Sequence, residues 1–252
     1  HATFLRRRLD SIYNQTYRNF RVILLDDCSS DGSRAILEEY RDRYPEITTC
    51  EFNEQNSGGV FRQWRKAIEL AAGSPLLWIA ESDDDCDNDF LEKLVPFFRD
   101  ESVMLGYCSV QFVDEEGLPH PFKFHQHLSP HIDTSKWSQD FVAAAHREVE
   151  SALAIRNTIP NVSGVVMRTP PADSALLEDE SWLDMKVCGD WVLYLHLIAG
   201  GKVAYCARTT NYFRHHAENS SRKTHQDAVY YLEHARVSEE VARLYRVSDR
   251  TL

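Results

Sequence analysis

The sequence predicts an α/β fold: a mostly parallel sheet flanked by helices and followed by a C-terminal helix. Three observations predict it. Short apolar runs alternate with amphipathic stretches through the first hundred residues, the rhythm of strands joined by helical crossovers. The runs are continuous rather than alternating, as in strands covered on both faces. Acidic or small polar residues follow two of the runs, where a parallel sheet gathers its ligands.

Each element can be justified in order. "HATFLRRRLDSIYNQTY" opens on a helix, because Phe4, Leu5, Leu9, Ile12 and Tyr13 can share one face. Arg6, Arg7 and Arg8 read as its solvated side, with anionic lipid head groups as an alternative partner. An α/β domain ordinarily leads with a strand, so the first strand is expected to be missing from this chain. "FRVILLDD" (Phe20–Asp27) is a buried strand ending in two acids. Ser30 or Asp31 can cap the next helix, whose apolar face is Ile36, Leu37 and Tyr40. "ITTCEF" is a short strand, and the helix after it places Trp64, Ala67, Ile68 and Ala71 inward before Gly73 closes it.

"SPLLWIA" is the third strand. A helix with Phe90, Leu91, Leu94, Val95 and Phe98 follows the acids behind it. Then the rhythm breaks. "VMLGYCSVQFVD" is a strand, a long polar loop leads to a helical stretch over Trp137–Ala154, and "NVSGVVMR" is another strand. "CGDWVLYLHLIAGGKVAYCARTTNYFRHH" reads as helix, glycine turn, strand and polar tail. The chain ends in a helix from about Thr224 to Tyr245, with Val229, Leu232, Ala235, Val241 and Leu244 expected to be partly buried.

At 252 residues the chain can bury a substantial core. Its 28 Lys and Arg against 39 Asp and Glu, a net charge of −11, argue against a nucleic-acid binder. Six scattered cysteines without a C-x-x-C pair read as small buried residues in a reducing compartment. No apolar run reaches the ~18 residues of a membrane span. The expected location is the cytoplasm.

"WIAESDDDCDNDF" packs Glu81, Asp83, Asp84 and further acids behind a strand. Close carboxylates repel unless a cation neutralises them or one takes a proton. Mg²⁺ and Mn²⁺ prefer oxygen ligands, and Mg²⁺ brings substrate phosphates with it, so a metal diphosphate answers this charge. Taken alone, the run is as readily a solvated loop or a set of charges favouring the next helix's dipole. Asp85, Asp87 and Asp89 alternate as in a calcium loop, but Phe90 stands where that loop needs glycine and Pro96 where it needs glutamate. Asp190 before "WVLYLHLI" is by itself as well explained as a helix cap.

Together, "SIYNQTYRNFRVILLDDCSSDGS", "NSGGVFRQWRKAIELAAGSPLLWIAESDD" and "DFLEKL" resemble the nucleotide-sugar-binding half of family 2 glycosyltransferases with the GT-A fold. "GDWVLYLHLIAGGKVAYCARTTNYFRHH" resembles the same family's acceptor half. The resemblance implies a GT-A domain over residues 1–221, divided at 117 into donor and acceptor halves, and a helical extension over 222–252. It implies that Asp27 contacts the nucleotide base, with Ser29, Ser30 and Asp31 shaping that loop. Asp83 matches the last acid of the D-x-D motif, bound to the metal that bridges the donor diphosphate. Glu81 stands at the motif's first acid, and Asp84 supports it. Asp190 matches the catalytic base, with Gly189 in place of the acid that often precedes it. His216 falls where some members place a further metal or diphosphate contact, and Arg214 is set to offset phosphate charge. The family's Pro-x-Tyr-Asn segment, which helps hold the nucleotide, would lie before His1.

The implied activity is inverting, metal-assisted transfer from a UDP, dTDP or GDP sugar to a saccharide or lipid-linked acceptor, with Mn²⁺ or Mg²⁺ as cofactor, in polysaccharide or glycan biosynthesis, with peripheral association at the inner face of the membrane as a place of work. The competing readings are a catalytically degenerate binding domain of a larger protein and a sugar-1-phosphate nucleotidyltransferase. His125, His127 and His131 read as surface histidines, and Trp64, Trp78 and Trp191 as core. Trp137 or Trp182 is a candidate for stacking on a sugar, and Asn161 and Ser163 are candidates for shaping the acceptor pocket.

Overall fold

A computed structural model describes residues 1–128, 131–171, 173–216 and 228–247. The 221/222 division, Thr224 and the side chain of His125 lie outside the described residues. Helix α1 (Ala2–Tyr13) leads into β1 (Val22–Asp26), which α2 (Ser33–Arg43) connects to β2 (Thr48–Phe52). β1 and β2 pair in parallel, Val22 opposite Thr48, and form a sheet of their own. Leu5, Leu9, Ile12 and Tyr13 of α1 pack with Val22, Leu24, Ile36, Leu37 and Tyr40 in one cluster. The helical spacing of those apolar residues is what seats α1.

The chain continues through α3 (Val60–Leu70), β3 (Leu76–Leu77), β4 (Asp85–Cys86), α4 (Phe90–Leu94), β5 (Val103–Val113) and α5 (Phe124–His127). Next come β6 (Phe141–Ala144), α6 (Ala145–Glu148), β7 (Val165–Arg168), α7 (Ala175–Glu178), α8 (Gly189–Ile198), β8 (Lys202–Arg214) and α9 (Ala228–Leu244). The larger sheet has the order β3-β7-β5-β8-β4, with β6 also on β8. Its long ladder, β5 with β8, is parallel, whereas the short pairs of β3, β4, β6 and β7 are antiparallel. The two longest ladders are thus the parallel ones, and short antiparallel strands complete the larger sheet.

α8 is apolar on nearly every side, with Val192, Leu193, Tyr194, Leu195 and Ile198 at 1% exposure or less. A helix of that composition must be covered all round, and β5, α7 and α9 pack against it. The positive φ of Gly200 (77°) turns the chain from α8 into β8. Cys86, Cys108, Cys188 and Cys206 are buried.

Four expectations need correction. Trp137–Ala154 is not one helix: a 3₁₀ turn precedes β6, and α6 runs into a π-helical turn over Val149–Leu153. The alternating exposure of Phe141–Ala144 suits an edge strand, and β8 supplies its ladder. Arg8 is not solvated. It is 1% exposed, lies 4.9 Å from the Trp78 ring centre, and its guanidinium nitrogens have no hydrogen-bond partner among the described residues. That cation–π contact offsets part of its desolvation, while Arg6 is exposed and held by Glu39. In α9 the buried positions are Glu233, Val237, Glu240 and Val241, whereas Val229 (38%) and Leu232 (69%) are exposed and Ala235 faces solvent. Two anchored carboxylates set that face: Glu233 binds backbone N–H groups, and Glu240 meets His196 and Arg243. Finally, Trp182 (1%) and Trp137 (7%) are core residues closed to any sugar.

Candidate active site

The acidic run resolves into two jobs. Most of it fastens the end of β8. Asp84 Oδ1 accepts the Arg214 backbone N–H at 2.9 Å, and its Oδ2 accepts from Asn161. Asp85 receives Arg214 Nη2 at 2.9 Å, and Arg7 as well. Asp87 accepts the Thr210 N–H and the Tyr212 hydroxyl, and Asp89 accepts the Thr209 hydroxyl. These carboxylates satisfy a crossing strand whose polar groups would otherwise be buried without partners. Burial and the neighbouring charge of Asp83 raise Asp84 to about 7, so Asp84 supports the site as a structural tie.

Asp83 is left at the cleft. Its Oδ2 lies 2.9 Å from His216 Nε2, and donor atoms of Asp83, His216 and His1 lie within 4.8 Å of one another. A carboxylate oxygen with imidazole nitrogens can hold a divalent cation, the oxygen suiting a hard ion such as Mn²⁺ and the imidazoles a borderline one. Glu81 stands apart from this group. Its backbone N–H donates to Ser163 Oγ at 3.1 Å. Burial first, then the charges of Asp83, Asp84 and Asp190, hold its carboxyl well above the usual range.

Arg214 does not face a phosphate. It is 1% exposed, and its guanidinium donates to the carbonyls of Asp83, Asp114 and Glu115 and to Asp85. A guanidinium occupied in this way positions the Asp83 loop. Asn161 and Ser163 likewise stitch strands: Asn161 links Asp84 to Asn211, and the Ser163 carbonyl accepts the Trp78 indole N–H.

At the end of β1, Asp27 Oδ1 accepts from Asn53 Nδ2, the Ser57 N–H and Gln63 Nε2 at 2.7–2.9 Å, while Oδ2 accepts the Ser57 hydroxyl at 2.7 Å. The adjoining Cys28 takes a φ of 62°, a left-handed turn uncommon outside glycine. Ser29 and Ser30 are exposed beyond it, and the Ser29 N–H donates to Asp26. Asp31 accepts the N–H groups of Ala2 and Ser33, at 3.0 and 2.9 Å.

Asp190 occupies the first turn of α8, and Cys188 rather than Asp190 is the N-cap. Its Oδ1 accepts the Trp191 N–H at 2.7 Å and its Oδ2 accepts Asn157 Nδ2 at 3.0 Å. Burial raises this carboxyl to about 7 against those hydrogen bonds. A Cβ at Gly189 would lie 2.5 Å from the Phe61 ring, which explains why no acid precedes Asp190 here. Asp190 opens into a cavity of ≈ 300 Å³ shared with Arg156, His127, His215, Trp191 and Tyr230. His127 is therefore a pocket residue, its Nε2 2.8 Å from the Asn157 carbonyl, while His131 is exposed.

Glu233 is the residue that sequence patterns missed. From α9 it accepts the N–H groups of Lys186, Val187 and Cys188 at 2.6, 2.8 and 2.9 Å, clamping the loop that delivers Asp190. A glutamate on the inward stripe of a terminal helix was the available signal. Glu233→Ala leaves three inward N–H groups unpaired and is expected to cost roughly 2–3 kcal/mol, read as a lowered denaturation midpoint.

The family model described as glycosyl transferase family 2 matches residues 2–153. TuaG, a glycosyltransferase named for teichuronic acid biosynthesis in Bacillus subtilis, is 29% identical over 116 residues, 46% of this chain and 45% of its own. The poly(ribitol-phosphate) beta-glucosyltransferase of Bacillus spizizenii is 26% identical over 153 residues, 60% of this chain and 24% of that protein. The chain thus spans less than half the length of these curated relatives. Among solved structures, S. aureus TarS 1–349 in complex with UDP-GlcNAc superposes with a TM-score of 0.67 over 97% of this chain and 65% of that one, at 17% identity. GalNAc-T7 with UDP, GalNAc and Mn²⁺ gives 0.55 over 85% of this chain and 42% of that one, at 13% identity. At those identities the likeness is one of fold, and the fold is GT-A. With the family match covering more than half of its length, the chain belongs to glycosyl transferase family 2.

Proposed function

We propose that the protein transfers a sugar from a nucleoside-diphosphate donor to a saccharide or lipid-linked acceptor, with inversion and divalent-metal assistance, in cell-envelope polysaccharide assembly. One observation carries this reading. His215 lines the pocket of Asp190, and the next residue, His216, stands 2.9 Å from Asp83, so one short segment serves both the candidate cation group and the candidate base. The charges of Asp83 and Asp190 both bear on the Glu81 carboxyl, which supports the same arrangement. The relatives named for teichuronic acid and poly(ribitol-phosphate) chemistry support the polysaccharide assignment.

Asp83 and His216 would hold the metal, and a bound cation would favour ionisation of the Glu81 carboxyl behind them. A bound Mn²⁺ or Mg²⁺ would neutralise charge on the departing diphosphate. Asp27, at the carboxyl end of β1, lies where α/β sheets bind nucleotides; its loop is proposed to receive the base, with Ser29 and Asp31 on its rim. Asp190 takes the acceptor hydroxyl's proton as that oxygen attacks the anomeric carbon, while the bond to phosphate breaks on the far side. A base with a pKa near the working pH is suited to this step. The UDP in the TarS and GalNAc-T7 structures favours UDP among the candidate nucleotides.

The test is calorimetry of the full-length protein with UDP, dTDP and GDP, with and without Mn²⁺, followed by a donor screen for nucleoside diphosphate release. Failure to bind any of them would remove the reading, and pyrophosphate release would replace it with nucleotidyl transfer. Asp27→Ala is expected to weaken nucleotide binding by at least about tenfold, one lost charge-assisted contact.

A further inference from the structure

The cavity beside Asp190 is less acidic than the molecule as a whole. The chain carries a net charge of −11, yet Asp190 is the one carboxylate among the described residues lining this cavity. Facing it are Arg156 and the imidazoles of His127, His215 and His234. Arg156 is half-buried and, among the described residues, makes no ion pair or side-chain hydrogen bond. Other arginines near the site are committed: Arg7 and Arg214 to Asp85, Arg34 to Asp26, and Arg62 to Asp184.

A half-buried guanidinium without a protein acceptor has a fork of donors ready for a carboxylate or phosphate. The positive charge of Arg156 reaches both His127 and Cys188, which places it over the cavity rather than away from it. Trp191, Phe213 and Tyr230 supply apolar walls, the surface on which the C–H face of a sugar or polyol packs. At ≈ 300 Å³ the cavity is at the small end for a ligand site and suits about one sugar-sized unit.

We propose that this cavity is the acceptor subsite and that it selects an anionic acceptor, a saccharide or polyol bearing a phosphodiester or carboxylate that Arg156 binds while the neighbouring hydroxyl meets Asp190. This inference rests on the transferase reading and adds the acceptor's chemical class to it. Arg156 compensates the repulsion that an ionised Asp190 exerts on such an acceptor, so selectivity and base function share one pocket. Arg156 sits in the stretch between the π-helical turn and Asn157, the residue that orients Asp190.

The experiment uses the full-length protein, Mn²⁺ and the donor found in the screen, with three acceptor probes: a glycerol phosphate oligomer, an oligogalacturonate and maltotetraose. Wild type is expected to release nucleoside diphosphate at least about tenfold more efficiently with one anionic probe than with maltotetraose, a difference of one well-placed ion pair. The better of the two identifies the anion as phosphodiester or carboxylate. Arg156→Gln is expected to raise KM for that probe by about tenfold with little change in kcat, and to flatten its dependence on salt. Arg156→Lys should recover part of the loss. Equal use of maltotetraose by wild type, or an unchanged KM in Arg156→Gln, overturns the inference while leaving the transferase reading in place. Absence of donor binding and turnover in every arm fails that reading itself, and this inference with it.

Discussion

Asp190→Asn is expected to lower sugar transfer by about a thousandfold, the scale of a lost general base, while donor and metal binding persist. The substitution keeps the shape of the side chain and the bond accepted from the Trp191 N–H, while its amide N–H₂ meets the Asn157 amide donor and gives up that bond. Its pH behaviour gives a second check. With the carboxyl raised from 3.8 to about 7, the fraction in the base form grows through neutrality, so kcat in wild type should rise between pH 6 and 8 with a midpoint near 7. Stability should move the other way. A carboxyl harder to ionise when folded loses stability as pH climbs from its unfolded to its folded pKa, so this penalty develops between about 4 and 7 and is complete above 7. Asn carries no such penalty. The variant's denaturation midpoint relative to wild type should therefore rise from pH 4 to pH 8, on top of the constant cost of the lost Asn157 bond. An Asp190→Asn protein that turns over normally, or whose midpoint relative to wild type does not improve between those pH values, contradicts both the assignment and its electrostatics.

Asp83→Asn should abolish tight Mn²⁺ binding and reduce transfer by at least about a hundredfold, the scale of removing one transition-state charge stabiliser. Manganese binding is read directly by electron paramagnetic resonance, and the fold by circular dichroism. Asp83 makes one side-chain contact in the group, to His216, so its loss should leave the fold intact. Asp84 offers the contrast. It is 1% exposed and ties Arg214 and Asn161 together, so Asp84→Ala should act chiefly on the denaturation midpoint. If the two variants lose metal affinity equally with no loss of stability, the division of the acidic run into a cation ligand and structural ties is wrong.

Much of the architecture was legible because it depends on local pattern. The helical spacing in α1, α2 and α3, the continuous apolar run of β1 and the glycine turn at Gly200 are properties of neighbouring residues, whereas "SPLLWIA" keeps only Leu76–Leu77 as a half-buried strand antiparallel to β7. The break at Trp137–Ala154 was less legible, since an edge strand and a helix of mixed residues look alike until β8 offers a ladder to one of them. The orientation of α9 was misjudged for a related reason. Apolar residues alone point Val229 and Leu232 inward, whereas the buried contacts of Glu233 and Glu240 turn the helix the other way.

The same split runs through the site. By itself the sequence determined which chemistry was available: carboxylates massed behind a strand, a second acid at a helix start, imidazoles in a polar tail, and the family order that relates them. Only the tertiary structure decided how those groups are used. It directs Asp84, Asp85, Asp87 and Asp89 into β8, turns Arg214 inward, pairs Asp83 with His216, and opens the cavity that Asp190 shares with Arg156. The physical reason is that a side chain's charge and donors are written in its type, while its partners are set by strands distant in sequence, and partners determine whether a charge ties the fold together or remains for a ligand.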